Sequence, residues 1–106
     1  DIDVLLMKGE NGWSSDKVSR RALVANDYRV IMLVGDQITD FISTEEAALE
    51  PDARKDLVSK YKDMWGNKWF MISNPMYGKW ESSIYGNQYP ETQEEIIQMR
   101  IEALKP

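Results

Sequence analysis

The stretch Val30-Ile31-Met32-Leu33-Val34-Gly35-Asp36 constrains this chain most. An apolar run of this length, too short for a buried helix, reads as a strand covered on both faces, the form strands take in a parallel sheet. The run stops at Gly35, and two carboxylates follow, Asp36 and Asp40, four positions apart. In an open parallel sheet the ligand crevice lies beyond the carboxyl ends of the strands, so both acids would project into it. Two acidic groups there suit a hard cation such as Mg²⁺, which takes oxygen ligands and keeps waters that a phosphate can displace. A purely structural alternative assigns Gly35 to a tight turn and Asp40 to a helix cap. This segment alone leaves both readings open.

The rest of the chain supports an α/β arrangement. Val4 to Met7 predict a short buried strand, and Lys8 to Trp13, with Gly9, Asn11 and Gly12, a loop. Ser14-Ser15-Asp16 offer N-caps ahead of Val18, Ala22 and Ala25 at helical spacing, which predicts a helix over 15–26. Arg29 to Val34 form the next strand, and strand-helix-strand within about thirty residues is a βαβ unit with parallel strands. Ile42 to Glu50 is acidic and fits either a helical turn or a surface loop. Pro51 opens a further helix with Asp52 in its first turn and Ala53, Leu57, Tyr61 and Met64 on one face, ended by Gly66. Lys68 to Ile72 predict a third strand, followed by a turn-rich stretch from Ser73 to Glu81. Pro90 and a capping box, Thr92 with Glu95, announce a last helix carrying Ile97, Ile101 and Leu104 on one stripe. Trp13, Trp65 and Trp69 are assigned to packing or subunit contact. No repeat or linker divides the 106 residues, so they form one folding unit.

Composition narrows the chemistry. Histidine and cysteine are both absent, which excludes disulfides, thiolate metal sites, Cys nucleophiles and imidazole catalysis. Catalysis would run on carboxylates, Lys, Ser or a metal. With a net charge of −5 and no basic cluster, a nucleic-acid polymer is not an expected partner. No apolar run is long enough to span a bilayer. Asp1-Ile2-Asp3 leads directly into strand-like sequence without an initiator Met or a signal segment, so the chain reads as the interior of a longer protein.

Three motifs together resemble the carboxy-terminal half of a haloacid-dehalogenase (HAD) superfamily phosphatase, specifically the class C acid phosphatases that include outer-membrane lipoprotein 5′-nucleotidases. Asp16-Lys17-Val18-Ser19-Arg20-Arg21 is similar to the family's third motif, a Lys near the start of a helix. Gly35-Asp36-Gln37-Ile38-Thr39-Asp40-Phe41 resembles the fourth, usually Gly-Asp-Asn-x-x-Asp-Phe, and Asn74-Pro75-Met76-Tyr77-Gly78-Lys79-Trp80-Glu81 the subfamily signature Pro-Asn-x-x-Tyr-Gly-x-Trp-Glu. The resemblance implies a HAD-like (Rossmannoid) parallel sheet flanked by helices, of which residues 1–106 are the carboxy-terminal portion. It implies a Mg²⁺-dependent phosphomonoesterase acting on nucleoside monophosphates or similar esters through an aspartyl-phosphate. The nucleophilic Asp-x-Asp-x-Thr motif has no counterpart here, because Asp1-Ile2-Asp3 precedes a strand instead of following one. The resemblance therefore also implies a complementary amino-terminal segment as partner and little activity from the chain alone.

On this resemblance Asp36 is the metal ligand, and Asp40 orients a metal-bound water or pairs with Lys17. Lys17 holds the nucleophile's carboxylate and the phosphoryl oxygens. Tyr77 forms one side of a base-binding sandwich, while Trp80 either covers the site or packs in the core. Asn74 either faces the phosphoryl loop or fixes the turn. Gln37 stands where the family has Asn, and Ser73 where it has Pro. Relatives are exported, periplasmic or anchored to the outer membrane, and a homodimer is compatible with the sequence. Two competing readings are a non-catalytic α/β fragment used for binding or assembly, and a phosphoacceptor signalling domain.

Overall fold

The computed structural model describes residues 5–47, 50–88 and 90–104. Its regular elements are α1 (Val18–Asp27), β1 (Leu33–Gly35), α2 (Thr44–Ala47), α3 (Pro51–Lys60), β2 (Trp69–Met71), α4 (Lys79–Ile84) and α5 (Gln93–Ala103), with 3-10 turns at Glu10–Gly12 and Ile38–Asp40. β1 and β2 pair in parallel, with Leu33 opposite Trp69, Val34 opposite Phe70 and Gly35 opposite Met71. Parallel neighbours need a crossover, and α2 and α3 supply it. The expected parallel sheet flanked by helices is present.

Its composition differs from expectation at the amino-terminal side. Leu5 to Met7 form no strand, and Leu5 and Met7 are 66% and 58% exposed. The Leu6 carbonyl accepts from Arg20 Nη1 at 3.1 Å and the Met7 carbonyl from the Glu10 N–H at 3.4 Å, a side-chain and a turn contact and not a sheet ladder; Val4 and the rejected Asp1-Ile2-Asp3 lie outside the described residues. The strand expected over Arg29 to Val34 is ordered as sheet only at Leu33–Gly35, because β2 is only three residues long. Val30, Ile31, Met32 and Val34 remain exposed.

The helices follow their local chemistry. α1 begins at Val18 and not at residue 15, since Asp16 Oδ1 accepts the Val18 N–H at 2.7 Å and Ser14 Oγ accepts the Asp16 N–H at 3.1 Å, which commits residues 14–16 to a capping turn. α3 starts on Pro51, and its expected face points inward, with Leu57 buried and Ala53, Tyr61 and Met64 half-buried. A short helix, α2, occupies part of the ambiguous 42–50 stretch. The turn after β2 is shorter than predicted, because α4 already begins at Lys79. α5 has its capping box, Thr92 Oγ1 accepting from Glu95 N and Glu95 Oε2 from Thr92 N, each at 3.2 Å. Its stripe of Ile97, Ile101 and Leu104, however, faces solvent at 51%, 53% and 81% exposure. Periodicity establishes that these side chains share a face, not which way that face points.

The core is small and aromatic. Ile38, Phe41, Ile42, Ala47, Leu57 and Trp69 are buried, with Leu33, Tyr61, Met64 and Trp65 packed against them. Phe41 meets Trp65 edge-on at 5.2 Å between ring centroids, and Trp69 lies 5.0 Å from Tyr61 and 5.2 Å from Trp65, separations at which ring quadrupoles add to burial. Trp65 and Trp69 are thus packing residues. The accessible surface is 8157 Å², against about 6,100 Å² for a self-contained domain of this mass. The radius of gyration is 16.1 Å, against about 13 Å for a compact chain of this length. None of the helices among the described residues is long and apolar enough to cross a membrane.

Candidate functional site

The site forms where β1 ends. The chain leaves the strand at Gly35, and the turn Ile38–Asp40 folds Asp40 back beneath it. A Cβ on Gly35 would come within 2.6 Å of Asp40 Cγ and overlap the Asp40 Cβ and Oδ2 as well. Gly35 does not have a positive φ. Glycine is therefore needed here for close approach and not for the turn conformation that the sequence suggests.

Asp40 uses the space so left. Its Oδ2 accepts the N–H groups of Asp36 at 2.9 Å and Gln37 at 3.0 Å, and its Oδ1 pairs with the Lys17 ammonium. Burial pushes the Asp40 carboxyl upward, but the Lys17 hydrogen bond and charge and the two backbone N–H donors outweigh it and hold the group below the usual carboxylate value. Asp40 is an anionic anchor: its side chain is 9% exposed, whereas that of Lys17 is 50% exposed.

Asp36 sits on the other side of the turn. Its Oδ2 accepts from Asn74 Nδ2 at 2.7 Å, a contact 38 residues apart in sequence. Asn74 Oδ1 accepts the N–H groups of Met76 at 3.1 Å and Tyr77 at 3.4 Å, and its backbone carbonyl accepts from Trp80 Nε1 at 3.1 Å. Asn74 thus fixes its own turn and also reaches the carboxylate after β1. Trp80 is 40% exposed and braces that turn, so it is not a core residue. Gly78, with φ at 151°, lets the turn close: a Cβ there would stand 2.9 Å from Trp80 Cδ1 and 3.4 Å from Gln37 Cδ.

A cavity of about 290 Å³ lies over this side, lined by Asp36, Gln37, Asn74 and Trp80 with Arg54 and Lys79 at its wall. A neighbouring one of about 380 Å³ is lined by Gln37, Tyr77, Gly78 and Lys79. Tyr77 is 63% exposed. Lys17 lines neither cavity, opening instead on a groove shared with Leu6, Arg21 and Val24. Asp36 and Asn74 are therefore brought together on one side and Lys17 and Asp40 on the other, joined by the N–H groups of Asp36 and Gln37.

Among the described residues Asp36 Oδ1 takes no hydrogen bond, and its partner oxygen is held by a neutral amide. That donor fits one position of a hard-cation site. No group of three or more His, Cys, Asp or Glu residues is clustered among the described residues, so they do not complete such a site by themselves.

Two contributors were missed from sequence. Asp16, read as a helix cap and as the first residue of the third motif, also accepts the Thr44 N–H at 2.7 Å and so ties the start of α1 to the start of α2. The Thr44 and Val18 N–H groups hold its carboxyl below the usual value against the opposing effect of burial, with the Thr44 side chain and the charge of Arg21 adding to them. Arg21 Nη1 donates to the carbonyl of Asp40 at 2.9 Å and of Thr39 at 3.5 Å. The available signal was spacing, because Lys17 and Arg21 lie four apart and share a helix face.

Comparison with known proteins gives the family and the fold. The sequence model described as HAD superfamily, subfamily IIIB (acid phosphatase) matches residues 1–80. The structure is similar to that of the class C acid phosphatase from Bacillus anthracis, at 29% identity and a TM-score of 0.72 over 85% of this chain and 37% of that one. It is also similar to the same enzyme's structure with tungstate bound, at 26% identity and a TM-score of 0.72 over 88% of this chain and 38% of that one. The chain thus spans under two-fifths of the length of these structural relatives.

Proposed function

The chain belongs to the acid phosphatases of HAD subfamily IIIB, and on that premise we propose that it is the carboxy-terminal portion of a Mg²⁺-dependent phosphomonoesterase that hydrolyses nucleoside 5′-monophosphates or similar small esters. The observation that carries this reading is the Asp36 carboxylate at the carboxyl end of β1, oriented by Asn74 at 2.7 Å, with the Lys17–Asp40 pair on the other side of the same turn. The bound tungstate of the relative, a tetrahedral oxyanion like phosphate, supports an oxyanion-binding site.

Asp36 contributes one oxygen to Mg²⁺, with Asn74 setting the direction of that carboxylate. Such a cation, when bound, neutralises charge between an anionic nucleophile and an anionic phosphate. Lys17 presents a half-exposed ammonium to the nucleophile's carboxylate and the phosphoryl oxygens, and Asp40 holds both Lys17 and the loop that carries Asp36. Tyr77 offers an exposed ring for a nucleobase to stack on, and Trp80 braces the turn that presents it. The nucleophile comes from outside these residues: a carboxylate attacks phosphorus, the ester P–O bond breaks with protonation of the departing oxygen, and water cleaves the resulting aspartyl-phosphate.

A complementary amino-terminal segment completes the protein. Supporting this are the surface in excess of a self-contained domain and the exposed apolar side chains of Val30, Ile31, Met32 and Val34 along β1 and its approach. The same exposed face favours the competing reading, a non-catalytic binding or assembly module. By family analogy the complete protein is exported, periplasmic or anchored to the outer membrane as a lipoprotein, which cell fractionation tests.

The deciding experiment is phosphate release from a nucleoside 5′-monophosphate, with and without Mg²⁺, by the chain alone and after addition of an amino-terminal segment bearing the Asp-x-Asp motif. Activity that needs both pieces and Mg²⁺ and disappears in Asp36→Asn supports the phosphatase. Stable association of the two pieces without turnover supports the binding module.

A further inference from the structure

α1 carries Lys17 at its cap, yet none of its residues is buried. Hydrophobic packing therefore does not hold this helix against the site, and polar contacts must. Its own ion pair is a weak tether, because Lys17 is half exposed and such pairs contribute little. The two arginines that follow divide the task. Arg20 turns away and clamps the incoming loop, donating to the carbonyls of Leu6 at 3.1 Å and of Ser14 and Asp16 at 3.2 Å. Arg21, one turn beyond Lys17 on the same face, reaches the carbonyl of Asp40 at 2.9 Å. Asp40 is thus gripped twice from one helix face, at its carboxylate by Lys17 and at its backbone by Arg21.

We propose that Arg21 is a positioning residue of this site, anchoring α1 to the turn after β1 so that the Lys17 ammonium stays at the Asp40 carboxylate. The proposal rests on the phosphatase reading for its consequence, the placement of Lys17 for phosphoryl binding, but its geometry stands independently. One guanidinium nitrogen, Nη1, reaches both carbonyls, that of Asp40 at 2.9 Å and that of Thr39 at 3.5 Å, so the two adjacent acceptors share a single donor atom. The anchor lies in the partly buried layer between α1 and the turn, where water competes less for the bond than it does for Lys17.

The test measures Lys17 itself. The chain is acylated briefly with an amine-reactive reagent, and the rate at Lys17 is read by peptide mass spectrometry relative to the exposed Lys62 and Lys68. An ammonium engaged with a carboxylate must leave it to react, so loss of the anchor raises the Lys17 ratio. In Arg21→Gln the ratio is expected to rise about threefold, with Arg21→Lys in between, corresponding to release of one exposed-type ion pair. General loosening would also free Lys60 from Glu46, with which it pairs at 2.6 Å, and raise its rate, whereas loss of the Arg21 anchor leaves Lys60 unmoved. An unchanged ratio in either folded variant overturns the proposal. Loss of the far-ultraviolet helical signal in both variants overturns it as well, since Arg21 would then be required for folding and not for position. Because the readout is accessibility and not turnover, an inactive chain can pass this test, and an active one can fail it.

Discussion

Replacing Gly35 with alanine tests the close approach on which the site is built. At an unstrained position alanine stabilises by about 0.4–1 kcal/mol, because it restricts the unfolded chain, and the φ of Gly35 is not in the left-handed region. Opposing this, the new Cβ would lie 2.6 Å from Asp40 Cγ, against an ordinary contact of 3.4–4 Å, so the Asp40 side chain must retreat by about 1 Å. Overpacking of that kind costs about 1–3 kcal/mol. The retreat also weakens two N–H bonds to a carboxylate, each contributing about 1.5–3 kcal/mol when intact. Taking the overpacking and the loss of one such bond against the entropic gain, the net expectation is a destabilisation of about 1.5–5.5 kcal/mol. Urea denaturation followed by the fluorescence of Trp65 and Trp69 in the core reads this directly. Asp40→Gly removes the obstructing side chain, and in that background Gly35→Ala should be neutral or stabilising by about 0.4–1 kcal/mol. A Gly35→Ala variant as stable as the native chain, or an equal cost in both backgrounds, would refute the close-approach argument.

Three further outcomes follow from the packing and the hydrogen bonds. Phe41→Ala empties the centre of the aromatic cluster, where Phe41 is 4% exposed, and should cost about 3–5 kcal/mol in a urea titration. Thr92→Ala removes the acceptor of the Glu95 N–H at the start of α5 and should cost about 1 kcal/mol, seen as fraying of that helix by amide exchange. Asp16 has its pKa lowered on folding by the Thr44 and Val18 N–H groups, so its contribution is complete above the unfolded value of about 3.9 and is lost as pH falls through the lower folded value. Asp16→Asn should therefore flatten the acid limb of the stability curve while lowering stability at pH 7, and an unchanged acid slope in thermal melts at pH 2–5 would contradict that assignment.

What was legible in advance depended on local chemistry. Pro51 at the head of α3 and the Thr92–Glu95 box at the head of α5 are interactions between near neighbours in the chain, and a sequence displays them directly. The strand-to-loop boundary at Gly35 and the family resemblance were legible for the same reason, because each is carried by contiguous residues. Less legible was everything that depends on where a face points. Ile97, Ile101 and Leu104 form the stripe that their spacing predicts, yet it lies in solvent, because amphipathicity specifies a face and only the surrounding elements decide its burial. Leu5 to Met7 have strand composition, yet the Leu6 and Met7 carbonyls accept from Arg20 and from the Glu10 N–H.

By itself, then, the sequence determined the family and the parallel α/β character. Tertiary structure alone decided the arrangement of the site: that Asn74 reaches Asp36 across 38 residues of chain, that Gly35 is a steric necessity imposed by Asp40, and that Arg21 grips the turn from an otherwise unburied helix. Backbone propensity and capping act over three or four residues and so are written locally, whereas these contacts join segments whose proximity exists only after the parallel pair of β1 and β2 has formed.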